Sequence, residues 1–248
     1  MCRACRWALV FVLQTAVYAQ EKCSAEVKLL VSPEQTQKVL TVLHAGKEVS
    51  GQVYLFDTDD LDLLSRGVTI RLRTGAKNDL TVKLRFSEPE GTNLPARPTA
   101  SKCEIDMVGN VALTSYTLTK VWKNEAVPKT GAELRSAFTT DQMKLLRAVT
   151  SIDWDKLKRQ ADLRATAWDA HPDSPISKIS IELWEWPGDQ ILESPARAQH
   201  QILELSARTS RKNGTLSLRE LRALAERSGL TVGETQEAKT TLILHALR

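Results

Sequence analysis

The stretch VTIRLR, residues 68–73, decides how this chain is read. Val68, Ile70 and Leu72 alternate with Thr69, Arg71 and Arg73, the period of two that gives a β-strand one apolar and one polar face. A solvated face mixes Thr, Ser, Gln and Lys freely, so the two arginines raise the question of whether other strands do the same. In SAEVKLLV (24–31), Glu26 and Lys28 oppose Val27 and Leu29. In LTVKLRF (80–86), Lys83 and Arg85 oppose Val82, Leu84 and Phe86. In KCEIDMVG (102–109), Lys102, Glu104 and Asp106 oppose Cys103, Ile105 and Met107. Ser180 and Glu182 stand against Ile179, Ile181 and Leu183 in ISKISIELWEW (176–186), and Glu204 falls with Ser206 and Arg208 in HQILELSAR (200–208). QVYLFDT (52–58) and DLRATAW (162–168) complete the strand candidates.

The ionised residues are sorted along the chain. The middle strands are almost purely basic, whereas the first, fourth and late strands carry carboxylates. That pattern suggests a barrel or cup whose interior binds a multiply charged anion. Lys and Arg would meet phosphate-like oxygens, and carboxylates would hold a divalent cation.

Helices would cover the apolar outside. SPEQTQKVLTVLHAG has Ser32 as N-cap, Pro33 at the first position and Gly46 at the stop. TTDQMKLLRAV begins at Thr139 or Thr140. SLRELRALAERSG has Ser217 and Glu220 as a capping box and Gly229 at its end, and TVGETQEAKTTLILHAL repeats the helical pattern from Thr231. PGDQILESPARAQ (187–199) fits no element.

With 248 residues, 42% hydrophobic and 26% charged, the composition is that of a globular domain. Its start differs from the rest. MCRACR is a basic n-region, WALVFVLQTAVY an apolar run short for a bilayer span, which disfavours the alternative of an uncleaved anchor, and VYA a small-residue cleavage site. Residues 1–19 therefore read as a signal peptide cut after Ala19, leaving one exported domain over 20–248, periplasmic or secreted, with no membrane segment. Loss of Arg3 and Arg6 takes the 34 basic residues to 32 against 30 acidic. So small an excess gives no reason to expect a nucleic-acid partner, and a basic site must be a local concentration of charge. Cys2 and Cys5 leave with the signal, so Cys23 and Cys103 form one expected disulfide on the outer face. DTDDLD (57–62) lacks the spacing of an EF-hand and reads as a turn in which Asp57 and Thr58 cap or support the neighbouring arginines. There is no G-x-S-x-G, Walker loop or H-E-x-x-H.

In order, these stretches resemble the CYTH superfamily, the triphosphate tunnel metalloenzymes. AEVK resembles that family's opening E-x-E-x-K strand, YLFDT its Y-x-D-T strand, and LLSRGVTIRLRTG its L-x-x-x-G-x-x-L-R-x-R element. TVKLR and KCEID resemble its K-x-R and R-x-E-x-E strands, ISIELWEW and ILELSAR its late carboxylate strands, and EAKTTLILHAL its C-terminus. The resemblance implies an α+β fold, an antiparallel eight-stranded β-barrel forming a tunnel with flanking helices. It implies metal-dependent hydrolysis of inorganic tripolyphosphate, polyphosphate or a triphosphate-bearing small molecule, with Mg²⁺ or Mn²⁺. Lys28, Arg71, Arg73, Lys83, Arg85, Lys102 and Arg164 would grip phosphates, with Lys28, Arg71 and Lys83 at the chemistry. Glu26, Glu104, Asp106, Glu182 and Glu204 would be metal ligands. Ser24 stands where the family's first glutamate would be, which leaves the alternative of a barrel that binds polyphosphate or another polyanion without turnover.

Overall fold

The computed structural model describes residues 23–87, 98–123, 126–186 and 201–248. The expected signal segment, most of the Pro-rich stretch near 89–98 and the unassigned 187–199 lie outside the described residues.

Nine strands among them close into a barrel: β1 (Ser24–Val31), β2 (Val49–Asp57), β3 (Val68–Gly75), β4 (Asp79–Phe86), β5 (Lys102–Val108), β6 (Val111–Val121), β7 (Lys158–Ala170), β8 (Ile179–Glu185) and β9 (Gln201–Ser210). Their spatial order is β1-β5-β6-β4-β3-β2-β7-β8-β9, with β9 returning to β1. This corrects the expected eight antiparallel strands on two counts. A ninth strand, β6, is present, and β1 runs parallel to β5. The two are linked, because an odd number of strands around a closed ring cannot alternate direction at every step. β6 leaves β5 through a two-residue turn in which Gly109 takes φ +57°, and Val108 faces Val111 across it.

The outward apolar faces are covered by helices. On one side Val27 and Leu29 of β1 and Leu203 and Leu205 of β9 pack against Val39 of α1 (Thr36–Val42) and Leu221, Leu224 and Ala225 of α4 (Gly214–Arg227). On the other, Ile70, Leu72, Leu80, Val82 and Leu118 meet Leu134 of α2 (Gly131–Ala137) and Leu145 and Leu146 of α3 (Thr140–Val149). Each such aliphatic side chain contributes about 1.5–3 kcal/mol when withdrawn from water. Thr139 and Gln142 form a reciprocal capping box at the start of α3, and Gln142 Nε2 also donates to the Leu80 carbonyl at 2.9 Å, which pins the helix to β4.

Three helix boundaries differ from expectation. α4 starts at Gly214 rather than after Ser217, with no side-chain cap; a Cβ at Gly214 would lie 2.5 Å from Met107 Sδ, so glycine lets the helix begin against the barrel wall. Residues 231–233 are not helical, because Val232 bridges Val31 and Gly233 N–H donates to Leu30, extending along β1. The last helix, α5, is only Lys239–Ala246. α1 closes at Leu43, before Gly46.

α5 enters the barrel. Leu30, Trp184 and Ile202 share the inward parity of Lys28, Glu182 and Glu204, and with Val53, Leu55 and Leu163 they enclose Ile243 and Leu244 of α5. α5 thus fills part of the interior with apolar side chains, and the rest is left to charge. The expected disulfide is present: Cys23 and Cys103 have Cα atoms 4.8 Å apart and are 80 residues apart in sequence.

Candidate anion-binding tunnel

Alternation places the charged residues inside. A cavity of about 220 Å³ in the barrel is lined by Lys28, Arg71, Arg73, Lys83, Arg85 and Lys102 with Glu26, Glu104, Glu182 and Glu204. It continues past Glu26, Lys77, Glu182 and Arg208 into a cleft of about 870 Å³, and past Lys28, Thr69 and Arg85 into another of about 520 Å³ beside α5. The interior is therefore open toward both ends. Gly67 sets the position of Arg85: at φ +72° it accepts the Arg85 N–H at 2.8 Å, and a Cβ there would lie 2.1 Å from the Arg85 carbonyl oxygen.

Arg164 does not join the tunnel. It lies exposed on β7, whose inward parity is that of Ala161 and Leu163. Of the two expected roles of Asp57 and Thr58, capping is the one found, and Thr58 Oγ1 accepts the Asp62 N–H at 3.1 Å. The Asp57 carboxylate accepts the N–H groups of Thr58, Leu63 and Leu64 at 2.7–2.9 Å and closes the loop before β3, and its burial raises its pKa.

Asp106 is the hub of the basic face. Lys83 Nζ is 2.6 Å, Arg85 Nε 2.9 Å and Lys28 Nζ 3.1 Å from its oxygens. Burial alone would raise its pKa, but the three cations hold it well below the carboxylate range. Its partners behave differently. Burial disfavours the charge on Lys28, yet Asp106 and Glu26, the latter at 3.0 Å, outweigh it and raise its pKa. Lys83 has only a share of Asp106, and burial together with Arg85 and Lys28 pushes it down to about 7. The contact at 2.6 Å and the lowered pKa are compatible, because one carboxylate divided among three ammonium and guanidinium groups leaves positive charge in excess.

On β3, Arg73 donates from Nε and Nη2 to the two oxygens of Asp79, its cross-strand neighbour, at 3.0 and 2.5 Å. Arg71 has no ion pair or hydrogen bond among the described residues, and its buried Nε is unsatisfied. Burial and the neighbouring Arg73 lower its pKa to about 10, so it stays cationic at neutral pH. The Thr117 hydroxyl in the same cavity is likewise buried and unpartnered.

The five expected metal ligands do not form one donor set. Glu26 is paired with Lys28, Glu104 with Lys102 at 2.5 Å, and Asp106 with its three cations. Glu182 and Glu204, opposite each other across β8 and β9, are both bound by Lys239 of α5. Among the described residues no three His, Cys, Asp or Glu side chains converge on a common point. As arranged, these residues do not fit a resident Mg²⁺ or Mn²⁺, which requires several oxygen donors in strict geometry.

Sequence reasoning missed Lys239, Asp79 and Lys77. Lys239 sits in what reads as the middle of a helix, and Asp79 follows Asn78 in what reads as a turn.

No protein-family model and no curated protein matches the chain. Solved structures do. An adenylyl-cyclase candidate from Hippeastrum, described as having a dominant triphosphatase activity, superposes with a TM-score of 0.56 at 15% identity, over 88% of this chain and 93% of its own. An adenylate-cyclase candidate from Bacillus halodurans gives 0.54 at 19% identity, over 89% and 97%. The chain shares the fold of these two proteins. At these identities the likeness is one of fold, and it agrees with the resemblance read from the strand motifs.

Proposed function

We propose that the tunnel binds a linear triphosphate-type anion: inorganic tripolyphosphate, polyphosphate or a triphosphate-bearing small molecule. The observation that carries this reading is Arg71, a half-buried cation in the tunnel wall whose Nε is buried and which has no ion pair or hydrogen bond among the described residues. A charge partly withdrawn from water without a partner is costly, and an anion in the cavity offsets that cost. Nine basic side chains line the cavity against four carboxylates, and counting Asp79 and Asp106 behind them still leaves a positive surplus, the sign a polyphosphate needs. Arg71 and Arg85 would take phosphate oxygens in the forked geometry of guanidinium, while Lys28, Lys83 and Lys102 would act as point charges.

Hydrolysis of the bound anion is the second reading. It is favoured by the triphosphatase activity described for the Hippeastrum protein of the same fold. With the carboxylates engaged by lysines and arginines, binding is the reading the site supports better. An exported setting accords with the Cys23–Cys103 disulfide, a bond that persists in oxidising compartments.

Thermal melting with and without tripolyphosphate, beside a phosphate-release assay with Mg²⁺, Mn²⁺ or EDTA, tests both readings. A ligand-dependent rise in Tm in EDTA without release supports the binding barrel. Metal-dependent release supports the hydrolase. No shift and no release would remove both.

A further inference from the structure

Two carboxylates that face each other inside a barrel need a cation, and here the chain supplies one. Glu182 and Glu204 are direct cross-strand partners, and Glu204 is only 4% exposed. Lys239 Nζ binds Glu182 Oε2 closely and Glu204 Oε1 at 2.9 Å, and lies 4.4 Å from the centre of the Trp184 ring. Trp184 Nε1 donates to the same Glu182 oxygen at 3.1 Å. The ammonium is therefore held by two carboxylates and a ring of its own protein, and Lys239 as a whole is 8% exposed, rare for lysine unless paired.

The placement works against helix stability. Lys239 is the first residue of α5, where the helix dipole disfavours a positive charge. What holds it there is packing. Ile243 and Leu244, one turn further on, are buried against Leu55, Leu163 and Trp184, and this sets the first turn with Lys239 and Thr240 facing the cavity.

We propose that Lys239 is the resident counter-cation of Glu182 and Glu204, held in place by α5, so that this carboxylate pair is closed to divalent metal. The proposal deepens the anion-binding reading by making that binding metal-independent, and it gives Lys239 a role distinct from the phosphate-gripping lysines.

Mn²⁺ is the probe, with free ion counted by its paramagnetic resonance signal in titrations without any phosphate. Wild type is expected to take up no Mn²⁺ at this pair. Lys239→Met, which keeps an unbranched side chain one atom shorter and loses its charge, is expected to gain one Mn²⁺ per chain, and adding Glu182→Gln to it is expected to remove that ion again. Mn²⁺ uptake by wild type that Glu204→Gln abolishes would overturn the proposal, as would a folded Lys239→Met protein that binds no Mn²⁺. Should Lys239→Met fail to fold, the wild-type and Glu204→Gln titrations still decide. Because no phosphate enters these titrations, a tunnel that ignores tripolyphosphate defeats the binding reading and leaves the Lys239 result to be judged by itself.

Discussion

Arg71 and Arg73 project from the same face of β3, two residues apart, yet only Arg73 has a carboxylate. Asp79 sits directly across from Arg73 on β4 and takes both of its donors, whereas the residue across from Arg71 is Thr81. Arg73 is a fixed part of the wall. Arg71 is a charge left over, and the functional reading begins with that difference.

Replacing Arg71 by alanine removes a half-buried cation with no ion pair among the described residues, so it is expected to leave Tm unchanged or higher while weakening tripolyphosphate binding by about 10–100-fold, the worth of one charged hydrogen-bonding group. Calorimetry and a thermal melt on the same sample check both halves. A large loss of Tm would mean that Arg71 is structural.

Asp106→Asn leaves Lys28, Lys83 and Arg85 crowded without their shared carboxylate. Breaking a buried ionic cluster at one partner costs about 3–5 kcal/mol. Urea denaturation should show that loss, and tripolyphosphate should restore more stability to this variant than to wild type, because the anion takes over the neutralising role.

Lys83 sets a pH dependence. Its pKa in the folded chain, about 7, lies below the 10.5 of an ordinary lysine. Between those values the unfolded chain holds the proton and the folded one does not, so this group makes stability rise with pH over that window, and its penalty is fully present below about pH 7. Anion binding runs the other way, since it favours the protonated lysine: affinity should fall as pH rises above 7. The wild-type slope minus that of Lys83→Met isolates the lysine from the titration of the phosphate itself. Equal slopes would exclude Lys83 from contact with the anion.

Reducing the Cys23–Cys103 bond opens a loop of 80 residues. In the chain-entropy model this costs about 4 kcal/mol. Dithiothreitol should lower the urea midpoint of the purified chain. Tripolyphosphate affinity should not change, because Cys103 shares the outward parity of β5 while Lys102 and Glu104 line the tunnel.

Period-two alternation put the ionised residues of β1, β3, β4, β5, β8 and β9 on one face of each strand, and the sorting of basic and acidic strands pointed those faces to an enclosed site rather than to solvent. β6 was invisible for the opposite reason: it shows Thr117 and Thr119 to the tunnel, with no ionised residue to mark the face. The Gly109-Asn110 turn was the available signal. Arg164 came from the family resemblance and not from alternation, and β7 turns Leu163 inward against α5 and leaves Arg164 in solvent. Which carboxylate meets which cation was not legible at all. Lys239 reaches Glu182 and Glu204 only because the chain returns and inserts α5, a consequence of tertiary packing.

The most direct test of metal-free anion binding is a calorimetric titration of the purified chain with tripolyphosphate in EDTA. Saturable binding of one anion per chain, weakening as salt is raised, is the predicted result. Absence of binding, or binding that appears only when Mg²⁺ or Mn²⁺ is restored, would contradict it.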